Sequence, residues 1–171
     1  MTGESTQTQV FSGLILLTGQ DKPGLADALF EVLSPFAVSV IDIDQIVISS
    51  RLILTVQISL NQAHQVAIES DLELLAQRLE VDIASIFDLT DSPSDIKADA
   101  IIRMTAAKML PRFINSVTSA VLASDGNILR FNRSSINPMV IEIRVARATA
   151  ANLQEAIGAI PIESDLQISV H

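Results

Sequence analysis

"VSVIDIDQIVIS" (residues 38–49), followed almost at once by "LILTVQISL" (52–60), is the stretch whose reading decides the fold. Both segments are rich in β-branched residues, so they read as two successive strands joined by a tight turn. Ahead of them, "SGLILLT" (12–18) is a short apolar strand and "GQDKPG" (19–24) a turn. "LADALFEVLSPF" (25–36) then places Leu25, Ala28, Leu29, Val32 and Leu33 at helical spacing. Behind them, a second helix over about residues 62–79 carries Val66, Ile68, Leu72, Leu75, Ala76 and Leu79, and "VDIASIF" (81–87) closes the unit. The order is β-α-β-β-α-β, the ferredoxin-like split βαβ arrangement.

The second half repeats it. "AIIRMT" (100–105) is a strand, "AAKML" a loop, and "PRFINSVTSAVLA" (111–123) a helix. Pro111 suits a first helical turn, where its missing N–H is not needed. The strands "NILRFNRSS" and "MVIEIRVA", the helix "AANLQEAIGAI" and the strand "LQISV" complete the set. "LTDSPSDIKAD" (89–99) is polar, contains Pro93 and separates the halves. The expected organisation is a polar, disordered tail over residues 1–11, a first domain over 12–88, a linker over 89–98 and a second domain over 99–171. The fold class is α+β, two tandem ferredoxin-like domains, each an antiparallel sheet with helices on one face.

Asp42-Ile43-Asp44 raises a chemical question, because haloacid-dehalogenase-type phosphatases open their nucleophile loop with an apolar strand and such a pair. Alternation argues otherwise. In the second repeat the corresponding segment is Ile128–Arg133, where Leu129 and Phe131 take one face and Arg130 and Asn132 the other. By the repeat, Ile41 and Ile43 face the helices and Asp42 and Asp44 the open face, with Arg130 standing where Asp42 stands. Ile46 occupies the place of the required Thr or Val, another strand pair follows instead of a loop and helix, and no Gly-Asp dipeptide occurs. Hydrated Mg²⁺ needs several converging oxygens that are not assembled here.

Composition narrows the classes further. At 49% hydrophobic residues the chain can build a packed core, but with 4% aromatics and no Trp or Tyr that core is aliphatic. Zero Cys excludes disulfides, a thiol nucleophile and Cys-based metal sites. No apolar run approaches the roughly 18 residues of a membrane span, and "MTGESTQTQ" is not a signal peptide; a cytoplasmic protein is expected. The net charge of −9 is uneven: residues 1–96 hold three basic and fourteen acidic side chains, residues 97–171 eight and six. Without a clustered basic stripe, nucleic-acid binding is not expected.

The candidate site is "LTGQDKPGLADAL" (17–29). A strand end, a Gly turn and a Pro-Gly opening a helix present free N–H groups with the macrodipole behind them. Gly19 and Gly24 would let a ligand approach the backbone, and Asp21 could hold an ammonium group, which suits a small zwitterionic amino acid. By pattern alone these residues read first as an ordinary turn and helix start. His64 and His171, the two histidines, have no metal or relay spacing, and His64 reads as a solvated helix residue. Arg103, Arg130, Glu142 and Arg144 fall on the open face of the second sheet, as solvated or interface charges or an anion pocket.

Residues 16–60, "LLTGQDKPGLADALFEVLSPFAVSVIDIDQIVISSRLILTVQISL", resemble the first ACT domain of the long bacterial phosphoserine phosphatases. The likeness lies in the Pro-Gly loop, "FEVL", "DIDQIVI" and "RLIL"; the rest resembles the second ACT domain of those enzymes more loosely. ACT domains are regulatory modules that bind small amino acids between paired domains. The resemblance implies L-serine as ligand, held by Gly19, Gln20, Asp21, Lys22, Pro23, Gly24 and Leu25 and completed near Asp42. "TAAKMLPRF" in the second repeat has neither Pro-Gly nor a loop Asp. The resemblance further implies a non-catalytic regulatory half of a serine-biosynthesis enzyme, a homodimer, and no cofactor in this chain, Mg²⁺ belonging to a catalytic domain beyond it. A stand-alone tandem-ACT protein similar to the transcriptional regulator of the glycine cleavage system is the alternative.

Overall fold

A computed structural model describes residues 11–89 and 96–171. The chain divides into two compact units, residues 1–94 and 95–171. The expected tail and most of the expected linker lie outside the described residues. Phe11, grouped with the tail by the sequence reading, packs against the first core, and its carbonyl accepts the Leu60 N–H at 3.0 Å.

The first unit runs β1 (Ser12–Gln20), α1 (Leu25–Leu33), β2 (Ser39–Ile48), β3 (Arg51–Ser59), α2 (Gln65–Leu79) and β4 (Asp82–Leu89). Its sheet order is β2-β3-β1-β4, with every neighbouring pair antiparallel. Alternation along β3 drives the packing: Leu52, Leu54, Val56 and Ile58 are buried under the helices, and the residues between them face outward. They join Ile15, Leu17, Leu29 and Ile68 in an aliphatic core, each such side chain contributing about 1.5–3 kcal/mol of burial. The first helix ends at Leu33, where the periodic apolar residues end and short of the full 25–36 segment. Ser34 closes it, its N–H and Oγ both donating to the Phe30 carbonyl, and Pro35 has no N–H to continue the ladder. The second helix starts later, after a 3₁₀ turn over Gln62–His64 capped by the Asn61 side chain.

The second unit runs β5 (Ala100–Ala106), α3 (Pro111–Ala123), β6 (Asn127–Ile136), β7 (Met139–Ala146), α4 (Ala150–Gly158) and β8 (Leu166–Val170). Its sheet order, β6-β7-β5-β8, reproduces the first. Both units are thus α+β, ferredoxin-like, with helices on one face of an antiparallel sheet.

The repeats also share a defect. The β2–β3 register slips between Val40 and Asp42, and the β6–β7 register slips between Ile128 and Arg130. Ile41 and Leu129 are the extra residues of equivalent bulges. Asp42 pairs with Gln57, and Arg130 with Arg144, each just past its bulge on the open face. Strict alternation would put Val40 on the open face beside Ile46 and Ile53. The bulge corrects this: Val40 pairs with buried Ile58 and so lies on the helix side.

Candidate functional site

The loop between β1 and α1 is tied to the β2–β3 turn by the Asp21 N–H, which donates to the Ser50 carbonyl at 2.8 Å. Gly24 then takes φ +90° as the N-cap and offers no side-chain cap. The first helical bond is from the Ala28 N–H to the Gly24 carbonyl, 2.9 Å, so the N–H groups of residues 25–27 precede the helical ladder. Asp21, Lys22, Pro23, Gly24, Leu25 and Ala26 line an open pocket of about 320 Å³, with Gln45 and Leu52 completing it. Both charge signs therefore border one depression at the positive end of a helix dipole.

The sequence-derived residues separate into three groups. Asp21, Lys22, Pro23, Gly24 and Leu25 come together at the pocket, the Leu25 side chain turning into the core. Gly19 and Gln20 do not line it. Gly19 is instead a packing glycine: a Cβ there would come within 2.7 Å of Val81 Cγ1. Asp42 is not with the loop, because the strand carries it on the opposite face of the sheet. It borders a separate hollow with Leu14, Ile43, Asp44, Thr55 and Gln57, and its Oδ1 accepts the Ile43 N–H at 2.8 Å.

Gln45 was missed. It pairs with buried Leu54, on the helix side of β2 between Ile43 and Val47. The signal was legible: an amide stands where alternation calls for an apolar residue.

The equivalent place in the second unit is chemically different. Leu110 precedes Pro111 as an extended N-cap with no side-chain bond. Arg112 forks onto Glu163, with Nε–Oε1 and Nη2–Oε2 both 2.8 Å, and its guanidinium lies 5.0 Å from the Phe113 ring centre. The hydrogen bond from Arg112 holds the Glu163 carboxyl below its ordinary range.

His64, expected to be solvated, is half-buried at the start of α2. Its ring tilts against Phe36 with centroids 5.8 Å apart, and Nδ1 is buried with no partner. Among the described residues no group of three or more His, Asp or Glu could hold a metal ion, and no helix is long and apolar enough to cross a membrane.

The ACT-domain family model matches residues 13–85. The phosphoserine phosphatase SerB2 of Mycobacterium tuberculosis is 39% identical over 75 residues, covering 43% of this chain and 18% of that enzyme. The chain therefore spans only a small part of that relative's length. A protein of unknown function from Galdieria sulphuraria superposes with a TM-score of 0.73 at 15% identity, over 94% of this chain and 96% of that one. A putative glycine cleavage system transcriptional repressor does so with a TM-score of 0.72 at 16% identity, over 96% and 98%. At such identities these two likenesses speak to the fold alone. Two ferredoxin-like units stand in tandem in this chain, and residues 13–85, in the first of them, match the ACT-domain family model.

Proposed function

We propose that the chain is a regulatory amino-acid-binding module, and that L-serine occupies the pocket at the start of α1. The observation that carries this reading is the pairing of Asp21 and Lys22 with an uncapped helix start in one open depression. A zwitterion matches that arrangement. Its carboxylate would meet the N–H groups of Leu25 and Ala26 at the positive end of the dipole. Its ammonium group would face Asp21, and the Gln45 amide could bond a side-chain hydroxyl.

Serine as the ligand is supported by the 39% identity to a phosphoserine phosphatase over 75 residues, since hydrolysis of phosphoserine yields serine. On this reading the chain belongs to such an enzyme and is non-catalytic by itself, with Mg²⁺ a matter for a separate catalytic domain. The homodimer is part of the same proposal. Regulation follows by linkage: a serine that binds one arrangement of the module about tenfold more tightly shifts that equilibrium by about 1.4 kcal/mol.

Calorimetry of the chain with L-serine tests this. Asp21→Asn removes the charge facing the ammonium group but keeps the backbone bond to Ser50. It is expected to weaken serine by about tenfold without changing the melting temperature. Unchanged affinity in the variant would move the site elsewhere, and no heat with wild type would defeat the reading.

A further inference from the structure

The pocket at the start of α1 depends on where the Asp21 backbone sits, and a turn decides that. The β1–β3 pairing ends at Gln20 opposite Arg51. The bond from the Asp21 N–H to the Ser50 carbonyl continues the ladder one residue past both strands. Ser50 belongs to the two-residue turn between Ile48 and Arg51, themselves a cross-strand pair. Further along the loop, the ring of Pro23 fixes its own φ and biases Lys22 towards extended backbone. Gly24 then opens the helix at φ +90°. Asp21 is held by neither ring nor helix, so the Ser50 carbonyl sets its direction.

That carbonyl points at Asp21 only while the turn keeps its shape. Ser49 and Ser50 are both left-handed, at φ 49° and 63°, which matches the twist of the hairpin strands. Each nevertheless brings a Cβ into a region where Asn and Gly are favoured. Both residues are exposed, so packing does not compel the conformation. Rotation of either serine to negative φ would swing the Ser50 carbonyl away and release the loop. The turn therefore has a strained shape that completes the pocket and a relaxed shape that does not.

We infer that the Ser49–Ser50 turn is the positioning element of the amino-acid pocket, and so rests on that pocket being the ligand site. Neither serine lines the pocket, so the turn sets its affinity without touching the ligand. A ligand that needs Asp21 in place favours the left-handed turn. By linkage, a turn locked in that shape favours the ligand. Asparagine and glycine would lock it, whereas serine leaves the free loop able to open.

Calorimetry of the full chain with L-serine tests this in two turn variants. Ser49→Asn/Ser50→Gly is expected to bind about threefold more tightly than wild type, the gain available when about a third of free molecules hold the competent shape. Ser50→Pro forbids a positive φ at that position and is expected to bind at least about tenfold more weakly. Amide exchange reports the joint itself. Serine is expected to slow exchange of the Asp21 N–H in wild type, while in the locked variant exchange is slow before serine is added. A turn that serves stability alone would move the melting temperatures and leave both affinities at the wild-type value, which would overturn the inference. An Asp21 N–H that exchanges equally with and without serine in wild type would do the same. The Asp21→Asn variant separates the two levels. If it weakens serine while the turn variants do not, the pocket stands and the role of the turn falls; if wild type binds no serine, both fall. Where circular dichroism shows Ser50→Pro unfolded, Ser50→Val, whose β-branch disfavours a positive φ, takes its place.

Discussion

The Asp21 N–H donates to the carbonyl of Ser50, 2.8 Å away, so the candidate ligand loop rests on the turn between β2 and β3. That turn is itself unusual. Ser49 and Ser50 have φ values of 49° and 63°, left-handed at both central positions of a two-residue hairpin, where Asn and Gly are favoured.

Replacing the pair as Ser49→Asn/Ser50→Gly is expected to stabilise the first unit by about 1 kcal/mol, because the left-handed region costs serine roughly that much. The carbonyl that holds Asp21 is kept, so the loop should stay in place. Urea unfolding measures the gain, and a loss of stability would mean that the serine side chains contribute bonds of their own.

Gly19→Ala is expected to destabilise by about 1–3 kcal/mol through overpacking, since its Cβ would meet Val81 Cγ1 at 2.7 Å. Combining it with Val81→Ala should recover part of that loss, a coupling that a double-mutant cycle reads directly. Additive losses would show that the clash is relieved by backbone movement instead.

Two carboxyls should titrate below their ordinary range. The hydrogen bond from Arg103 lowers Glu142, and that from Arg112 lowers Glu163. A carboxyl depressed on folding adds stability above its unfolded value, and that stability is lost as pH falls through the folded value. Carbon-detected NMR titration should show both shifts, with Arg103→Met and Arg112→Met returning each carboxyl towards the ordinary value. Both pairs are exposed, so salt should shrink the shifts.

Phosphoserine with Mg²⁺ is expected to stay intact in the presence of this chain, and Asp42→Asn to leave that result unchanged. Asp42 already accepts the Ile43 N–H and shares its face with Asp44 on the same strand and Asp82 on β4. Release of inorganic phosphate that the variant abolishes would reverse this assignment.

The order of elements was legible because period and punctuation agree along the chain. Leu52, Leu54, Val56 and Ile58 alternate, the 25–33 segment repeats at helical spacing, and both patterns recur after residue 99. Burial of one face needs that pattern whatever the partners are, so the local sequence carries it. The separation of Asp42 from Asp44's apolar neighbours on the other face was readable for the same reason.

Only the tertiary structure decided where the strands slip and what the glycines are for. The bulges at Ile41 and Leu129 have no local signature, because a bulge is a mismatch between two strands and is defined by the partner's register. That one-residue slip moved Val40 to the helix side. Gly19 looked like a ligand glycine until the backbone brought Val81 against it from the end of α2. Gln45 entered the pocket because β2 lies beside the α1 start only once the sheet has formed. Local sequence sets the alternation of faces along a strand; where that alternation slips, and which distant side chain each residue then meets, is set by pairing between segments far apart in the chain.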